Sequence, residues 1–186
     1  MRFYQYPEEM LYEEINSIAE ENALERNFRA TFPDEDFRTW LGVFDETYQM
    51  RRKYVQGMGT FLFFSTKGST KFHEFILDKV IKKLQNHRIK YRRGKIRKGA
   101  DLFVLDQYGR IYPVELETSL LHSAQSRPRL KTRIQSYSEP TIILTMNTVD
   151  KKKYTKSDLP YLYTNVKILT IDEMVNVFSL NTPFHP

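Results

Sequence analysis

Apolar positions along this chain alternate between helical spacing and sheet-like runs, and the order of the two outlines a fold. Met10, Leu11, Ile15, Ile18 and Ala19 share one stripe with acids opposite, which predicts a helix over Glu8–Asn22. A loop around Phe32-Pro33 follows, and Asp34 is placed to cap a second helix over Glu35–Met50, where Phe37, Trp40, Leu41, Phe44 and Tyr48 recur at helical spacing. Gln56–Gly59 reads as a loop and Thr60–Ser65 as a short buried strand. Ser69 or Thr70 then caps a helix to Asn86, with Phe72, Phe75, Ile76, Val80, Ile81 and Leu84 on its apolar face. Arg88–Arg97 alternates basic and apolar residues and reads as the first strand of a core sheet. After the hairpin described below come a loop over Thr118–Ser126 and a helix from Pro128 to about Tyr137. The apolar run Thr141–Met146 predicts a central strand, Lys151-Lys152-Lys153 a basic loop, Val166–Thr170 a last strand and Ile171–Leu180 a closing helix. This succession is an α/β layer plan.

The stretch Gly99–Thr118 holds two β-type runs, Asp101–Leu105 and Ile111–Leu116, joined by Asp106-Gln107-Tyr108-Gly109-Arg110. That short polar connector predicts a hairpin. A turn centred on Tyr108 pairs Leu105 with Ile111 and sets Asp101 opposite Glu115, on one face of the sheet. Glu117, two residues on, shares that face. Carboxylates crowded on an apolar hairpin call for a neutraliser, and Mg²⁺ or Mn²⁺ suits oxygen ligands.

Charge is divided unevenly. Residues 1–50 hold 12 acidic and 4 basic side chains, whereas residues 51–186 hold 11 and 25. Lys79–Lys98 alone contains ten Lys or Arg and no acid. A basic body of this kind suits a polyanion, and the acidic N-terminal part does not. The chain has no cysteine, which excludes disulfides and thiolate metal sites and fits a reducing, intracellular (cytoplasmic) setting. No apolar run approaches a membrane span, and the four His lack zinc-ligand spacing. P-loop and GxGxxG motifs are absent too.

Asp101, a hairpin and then Glu115-Leu116-Glu117 resemble the catalytic core of the PD-(D/E)XK nucleases. Lys67-Gly68-Ser69 with Glu74 resembles the opening helix of the archaeal Holliday-junction resolvases in that superfamily. The likeness covers about Lys67–Asn147; Ala100 replaces the family's Pro, and Glu117 stands where the motif has Lys. It implies an α/β restriction-endonuclease-like core (helix, three-stranded antiparallel meander, helix, further strand) over residues 60–186, behind an acidic, aromatic α-helical extension over 1–59. Asp101, Glu115 and the Leu116 backbone carbonyl would hold Mg²⁺ or Mn²⁺, with Glu74 on a second metal or simply well placed near its helix N-terminus. Glu117 would accept a proton from the attacking water, and Lys131, sharing a helix face with Gln135, would replace the missing Lys. Lys67, Arg92, Arg93, Lys95, Arg97, Lys98, Arg127, Arg129, Arg133 and Gln135 are expected along the phosphate path. His73 reads as a partly buried filler.

Three functions stay open on these residues. One is a metal-dependent DNA endonuclease acting on branched, nicked or single-stranded DNA; another is the same fold binding nucleic acid without cutting it. The third is a regulator or interaction protein whose acidic, aromatic N-terminal part docks on a partner, or a DNA-binding regulator, since a strand followed by Thr66-Lys67-Gly68 resembles the wing of a winged helix, although the acidic N-terminal helices suit phosphate poorly. The aromatic stripe of the second helix serves either core packing or a homodimer through residues 1–50.

Overall fold

A computed structural model describes residues 4–64, 68–95, 98–118, 126–157 and 165–179, and at 68–70, 95, 98, 126 and 127 the backbone alone. The chain forms two compact units, Met1–Phe72 and His73–Pro186. Among the described residues, no helix is long and apolar enough to cross a membrane.

The first unit departs from the helical extension expected. Helix α1 (Pro7–Asn16) stops early, because Ile18 takes a positive φ of 66° and turns the chain into a two-residue strand, β1 (Ala19–Glu20). The Glu20 carboxylate then accepts from the N–H groups of Asn22 and Ala23 and caps α2 (Glu21–Thr31). Asp36, not Asp34, caps α3 (Phe37–Tyr48) by accepting from the Thr39 N–H at 2.8 Å. Gln49, in left-handed conformation, ends that helix and releases β2 (Met50–Val55), which turns back through Gln56–Met58 into β3 (Gly59–Phe64). The three strands form an antiparallel sheet in the order β1-β3-β2. The division expected at 59/60 therefore cuts into a paired strand; Thr66 and Lys67, read as part of a winged-helix wing, lie outside the described residues.

Phe37, Leu41 and Phe44 from α3 are buried with Met10, Leu11, Ile15, Leu24, Phe28 and Leu62, and Trp40 and Tyr48 pack against that cluster. The stripe that suggested a second copy thus meets the unit's own core. A homodimer through residues 1–50 loses the surface from which it was argued.

The second unit follows the expected order. Helix α4 (Gly68–Asn86) ends where Arg88 turns with φ 57°, so β4 (Tyr91–Lys95) begins at Tyr91 and not at Arg88. Strands β5 (Lys98–Leu105) and β6 (Ile111–Glu117) form the hairpin, with Leu105 paired to Ile111 and Leu102 to Val114. The Asp106 carboxylate ties its turn by accepting from the N–H groups of Tyr108 and Arg110, while Gly109 supplies a φ of 78°. At Gly94 a Cβ would lie 1.6 Å from the Ala100 carbonyl oxygen, and the β4–β5 register shifts there. Helix α5 (Ser126–Gln135), β7 (Thr141–Thr145), α6 (Thr148–Thr155), β8 (Val166–Thr170) and α7 (Ile171–Ser179) complete the unit. Lys151–Lys153 lie in α6 and not in a loop; Asn147 caps that helix by accepting from the Asp150 N–H at 2.9 Å.

The sheet order is β4-β5-β6-β7-β8, with β4, β5 and β6 antiparallel and β6, β7 and β8 parallel. It separates two helical layers. Leu130 and Ile134 of α5 and Tyr154 of α6 cluster with Ile143 and Ile168 on one face. On the other, Arg93 and Tyr91 of β4 bond Glu74, Asp78 and Gln85 of α4, and Tyr112 of β6 meets Phe178 of α7 edge-on.

Candidate active site

The hairpin ladder ends at Leu102–Val114, and just beyond it Asp101 and Glu115 approach one guanidinium, that of Arg133 from α5. Asp101 Oδ2 accepts from the Leu116 N–H at 2.9 Å, which fixes its carboxylate against β6. Glu115 is fully buried, at 0% exposure. Its two oxygens accept from Arg133 Nη1, at 2.6 Å, and from the Tyr137 hydroxyl. Arg133 also stands 3.9 Å from Asp101 Oδ1. Glu117 accepts from the Tyr154 hydroxyl at 3.0 Å. Each of the three acids has a donor.

Burial pushes the Glu115 carboxyl upward, the Asp101 charge adds to this, and Tyr137 and Arg133 only partly offset it. Burial and the adjoining carboxylates also push the Tyr137 and Tyr154 hydroxyls well above the ordinary phenol value, so both remain donors. His73 joins the group through Nε2, 3.2 Å from Asp101 Oδ2, and its Nδ1 lies 3.8 Å from Glu74 Oε1. Burial works against its protonation, but Asp101, Glu74 and Glu117 outweigh that and raise its pKa.

The other expected residues divide. Glu74 pairs with Arg93, which also holds Asp78 at 2.8 Å, so Glu74 touches the carboxylate group through His73. The α5 cation that bonds Glu115 is Arg133, two residues beyond the half-buried Lys131. Arg129 and Gln135 are exposed on the same helix, and the exposed Arg92 stacks its guanidinium 4.8 Å from the Phe103 ring centroid. Lys67 and Arg97 lie outside the described residues, as do the side chains of Lys95, Lys98 and Arg127.

No protein-family model matches the chain, and no curated protein matches it in sequence. The site's chemistry therefore rests on its own geometry.

Three residues of the site are absent from the sequence expectation: His73 as a participant, Tyr137 and Tyr154. Spacing holds a signal for two of them. His73 is in phase with the buried Leu77, Val80 and Leu84 of α4, and Tyr137 follows Arg133 by one helical turn. Tyr154 has no such signal, because its helix looks like a charged loop.

Carboxylates and a backbone carbonyl are the donors that hard dications take. Asp101, Glu115 and the Leu116 carbonyl fit Mg²⁺ or Mn²⁺ by that chemistry. As arranged, the Arg133 guanidinium occupies the place between Asp101 and Glu115, and among the described residues no group of three His, Asp or Glu is disposed around a metal. The fit requires Arg133 to withdraw. With a side chain 48% exposed, it has solvent to withdraw into.

Proposed function

We propose that this chain is a metal-dependent DNA endonuclease of PD-(D/E)XK type that hydrolyses phosphodiester bonds in branched, nicked or single-stranded DNA. The observation that carries this reading is Asp101 and Glu115 brought to one guanidinium at the end of the β5–β6 hairpin, in a basic body. A buried carboxylate with a second beside it calls for a cation, the place that Arg133 fills as arranged and that a dication would take over. When bound to Asp101, Glu115 and the Leu116 carbonyl, Mg²⁺ or Mn²⁺ supplies charge neutralisation at the phosphate and an acidified water.

The chain's own groups do the rest. Glu117 takes the proton from the attacking water as the P–O bond to the leaving oxygen breaks, that oxygen takes its proton from solvent water, and the Tyr154 hydroxyl holds the Glu117 carboxylate in place. Arg133, released from Glu115, supplies the cation that the hairpin lacks at Glu117 and binds a non-bridging phosphate oxygen. Tyr137 keeps Glu115 oriented when Arg133 leaves. Glu74 has a supporting part, through His73, and Lys131 adds positive charge to the same helix.

A second reading is favoured by one observation, the guanidinium already seated between the two acids. In it the same fold binds nucleic acid through its basic surface and cuts nothing.

One assay separates the two. The purified protein is incubated with end-labelled linear, single-stranded and four-way-junction DNA, with Mg²⁺ or Mn²⁺, alongside Asp101→Asn and Glu115→Gln. Cleavage by the parent, lost in both variants while binding persists, supports the nuclease. Binding without cleavage under either metal supports the second reading, and no DNA binding at all defeats both.

A further inference from the structure

The sheet face that bears the carboxylates extends past them on both sides, and each side carries a feature the site has not used. On β5, Phe103 lies two residues from Asp101 and therefore on its face, about 7 Å along the strand. Its partner across β4 is Arg92, whose guanidinium stacks on the ring with 4.8 Å between charge and centroid. An exposed Arg held over a half-buried aromatic presents a cationic and aromatic surface. Unpaired bases stack on such surfaces.

On the opposite side stands α6. Its inward residue Tyr154 is buried and bonded to Glu117, which pins this helix to the rim of the site. Its outward residues Lys152 and Lys153, and Lys156 at its C-cap, are all exposed. Among the described residues none of these three is in an ion pair, while the neighbouring Lys151 is held by Glu173 at 2.6 Å. The helix C-terminus favours cations, which accounts for one or two of them. Lys152 and Lys156 sit four apart, however, where like charges repel. Nothing in the packing of α6 calls for three.

We infer that a single nucleic-acid strand crosses the carboxylate end of this sheet, its bases stacking on the Arg92–Phe103 platform and its phosphates running past the carboxylates onto Lys152 and Lys153 of α6 and Lys156 at its C-cap. Neighbouring strands lie about 4.8 Å apart, so the span from β4 to the strands under α6 is about 14–19 Å. A few nucleotides bridge that distance. The path places a phosphate over Asp101 and Glu115 with a base gripped upstream and charge neutralised downstream. It rests on the nucleic-acid reading above, and narrows it to a single strand or an unpaired arm.

The test is fluorescence-anisotropy binding of a short single-stranded oligonucleotide and its duplex, titrated against salt, without divalent metal. The variants are Lys152→Glu/Lys153→Glu/Lys156→Glu and Phe103→Leu, with Phe103→Trp to restore stacking and thermal melting to confirm each fold. The triple variant should bind the single strand at least tenfold more weakly, with a log–log salt slope shallower by about 2, near 0.7 per lost contact. Phe103→Leu should weaken the single strand about fivefold or more, leave the slope and the duplex unchanged, and be rescued by Phe103→Trp. A triple variant that keeps the parental slope, or a Phe103→Leu that leaves single-strand binding untouched, overturns the path. A parent that binds no DNA overturns the underlying nucleic-acid reading instead.

Discussion

Arg133 donates to Glu115 Oε2 at 2.6 Å, so a half-exposed guanidinium neutralises a carboxylate with no exposure of its own. The two residues need each other unequally. Arg133 can turn to solvent without loss of hydration. Glu115 without Arg133 is a buried charge with a single phenol for company.

Arg133→Ala should therefore destabilise the fold by about 1–3 kcal/mol at pH 7, less than for a fully buried pair because Arg133 is half exposed. The sign with pH follows from Glu115. Its pKa in the folded state is already raised by burial and by Asp101, and the variant raises it further. A carboxyl raised in this way binds protons more readily in the folded state, so stability falls as pH climbs from the unfolded value through the folded one. Urea denaturation should show the variant recovering part of its deficit between neutral pH and about pH 5, whereas the parent recovers less. A deficit that does not depend on pH would place the cost elsewhere.

The hairpin was the most legible part of the chain because its register follows from local chemistry. Asp106 and Gly109 mark the turn, Leu105 meets Ile111, and counting back brings Asp101 to Glu115 without reference to distant residues. Legibility fails where the deciding contact is remote. The periodicity of Phe37, Leu41 and Phe44 shows an apolar stripe but not what covers it, and the cover turned out to be the unit's own α1, α2 and β3. Ile18 breaks a good helical pattern so that two residues can pair with β3, and no β-branched residue announces a left-handed turn. Met50–Val55, a strand at the edge of its sheet, carries Arg51, Arg52 and Lys53 and hides its strand character under charge. Lys131 and Arg133 both line one helix in the sequence; only the packing of Leu130 and Ile134 decides which way that helix turns.

The turn itself is a point of vulnerability. Asp106 is buried to 9% exposure and accepts from two backbone N–H groups and, at 3.0 Å, from the Tyr112 hydroxyl. Asp106→Ala leaves all three donors without this acceptor and should cost about 2–3 kcal/mol. Asp106→Asn, which keeps an acceptor oxygen, should recover a good part. Chemical denaturation of the two variants checks this, and equal losses would mean that charge matters more than hydrogen bonding.

At the last strand, Thr170 and Glu173 close a reciprocal cap on α7: the Thr170 N–H donates to Glu173 Oε2 at 2.8 Å, and the Glu173 N–H donates to Thr170 Oγ1. Burial opposes ionisation of Glu173, but Lys151 and the Thr170 N–H outweigh it and hold the carboxyl below its ordinary value. A carboxyl depressed in this way stabilises the fold above the unfolded pKa, and the contribution is lost as pH falls through the folded one. Glu173→Gln should cost about 0.5–1 kcal/mol near neutrality, with the gap to the parent closing toward pH 3 in thermal melts. A gap that persists in acid would show that the cap, and not the charge, carries the effect.

Competition at Glu115 gives the most discriminating prediction. If a dication and Arg133 use the same carboxylate, each unit of binding by one must be relinquished by the other. Arg133→Gln removes the charge while keeping a donor of similar reach, so Mn²⁺ should bind the variant more tightly than the parent. Each ~1.4 kcal/mol of ion pairing removed is worth about tenfold in affinity. Electron paramagnetic resonance of free Mn²⁺ reports the binding directly, and Mn²⁺ should raise the melting temperature of the variant more than that of the parent. Glu115→Gln in the same background should abolish both effects. Equal Mn²⁺ affinity in parent and variant would mean that the guanidinium and the metal occupy different places, and Arg133 would then be a structural partner of Glu115 with no part in admitting the cation.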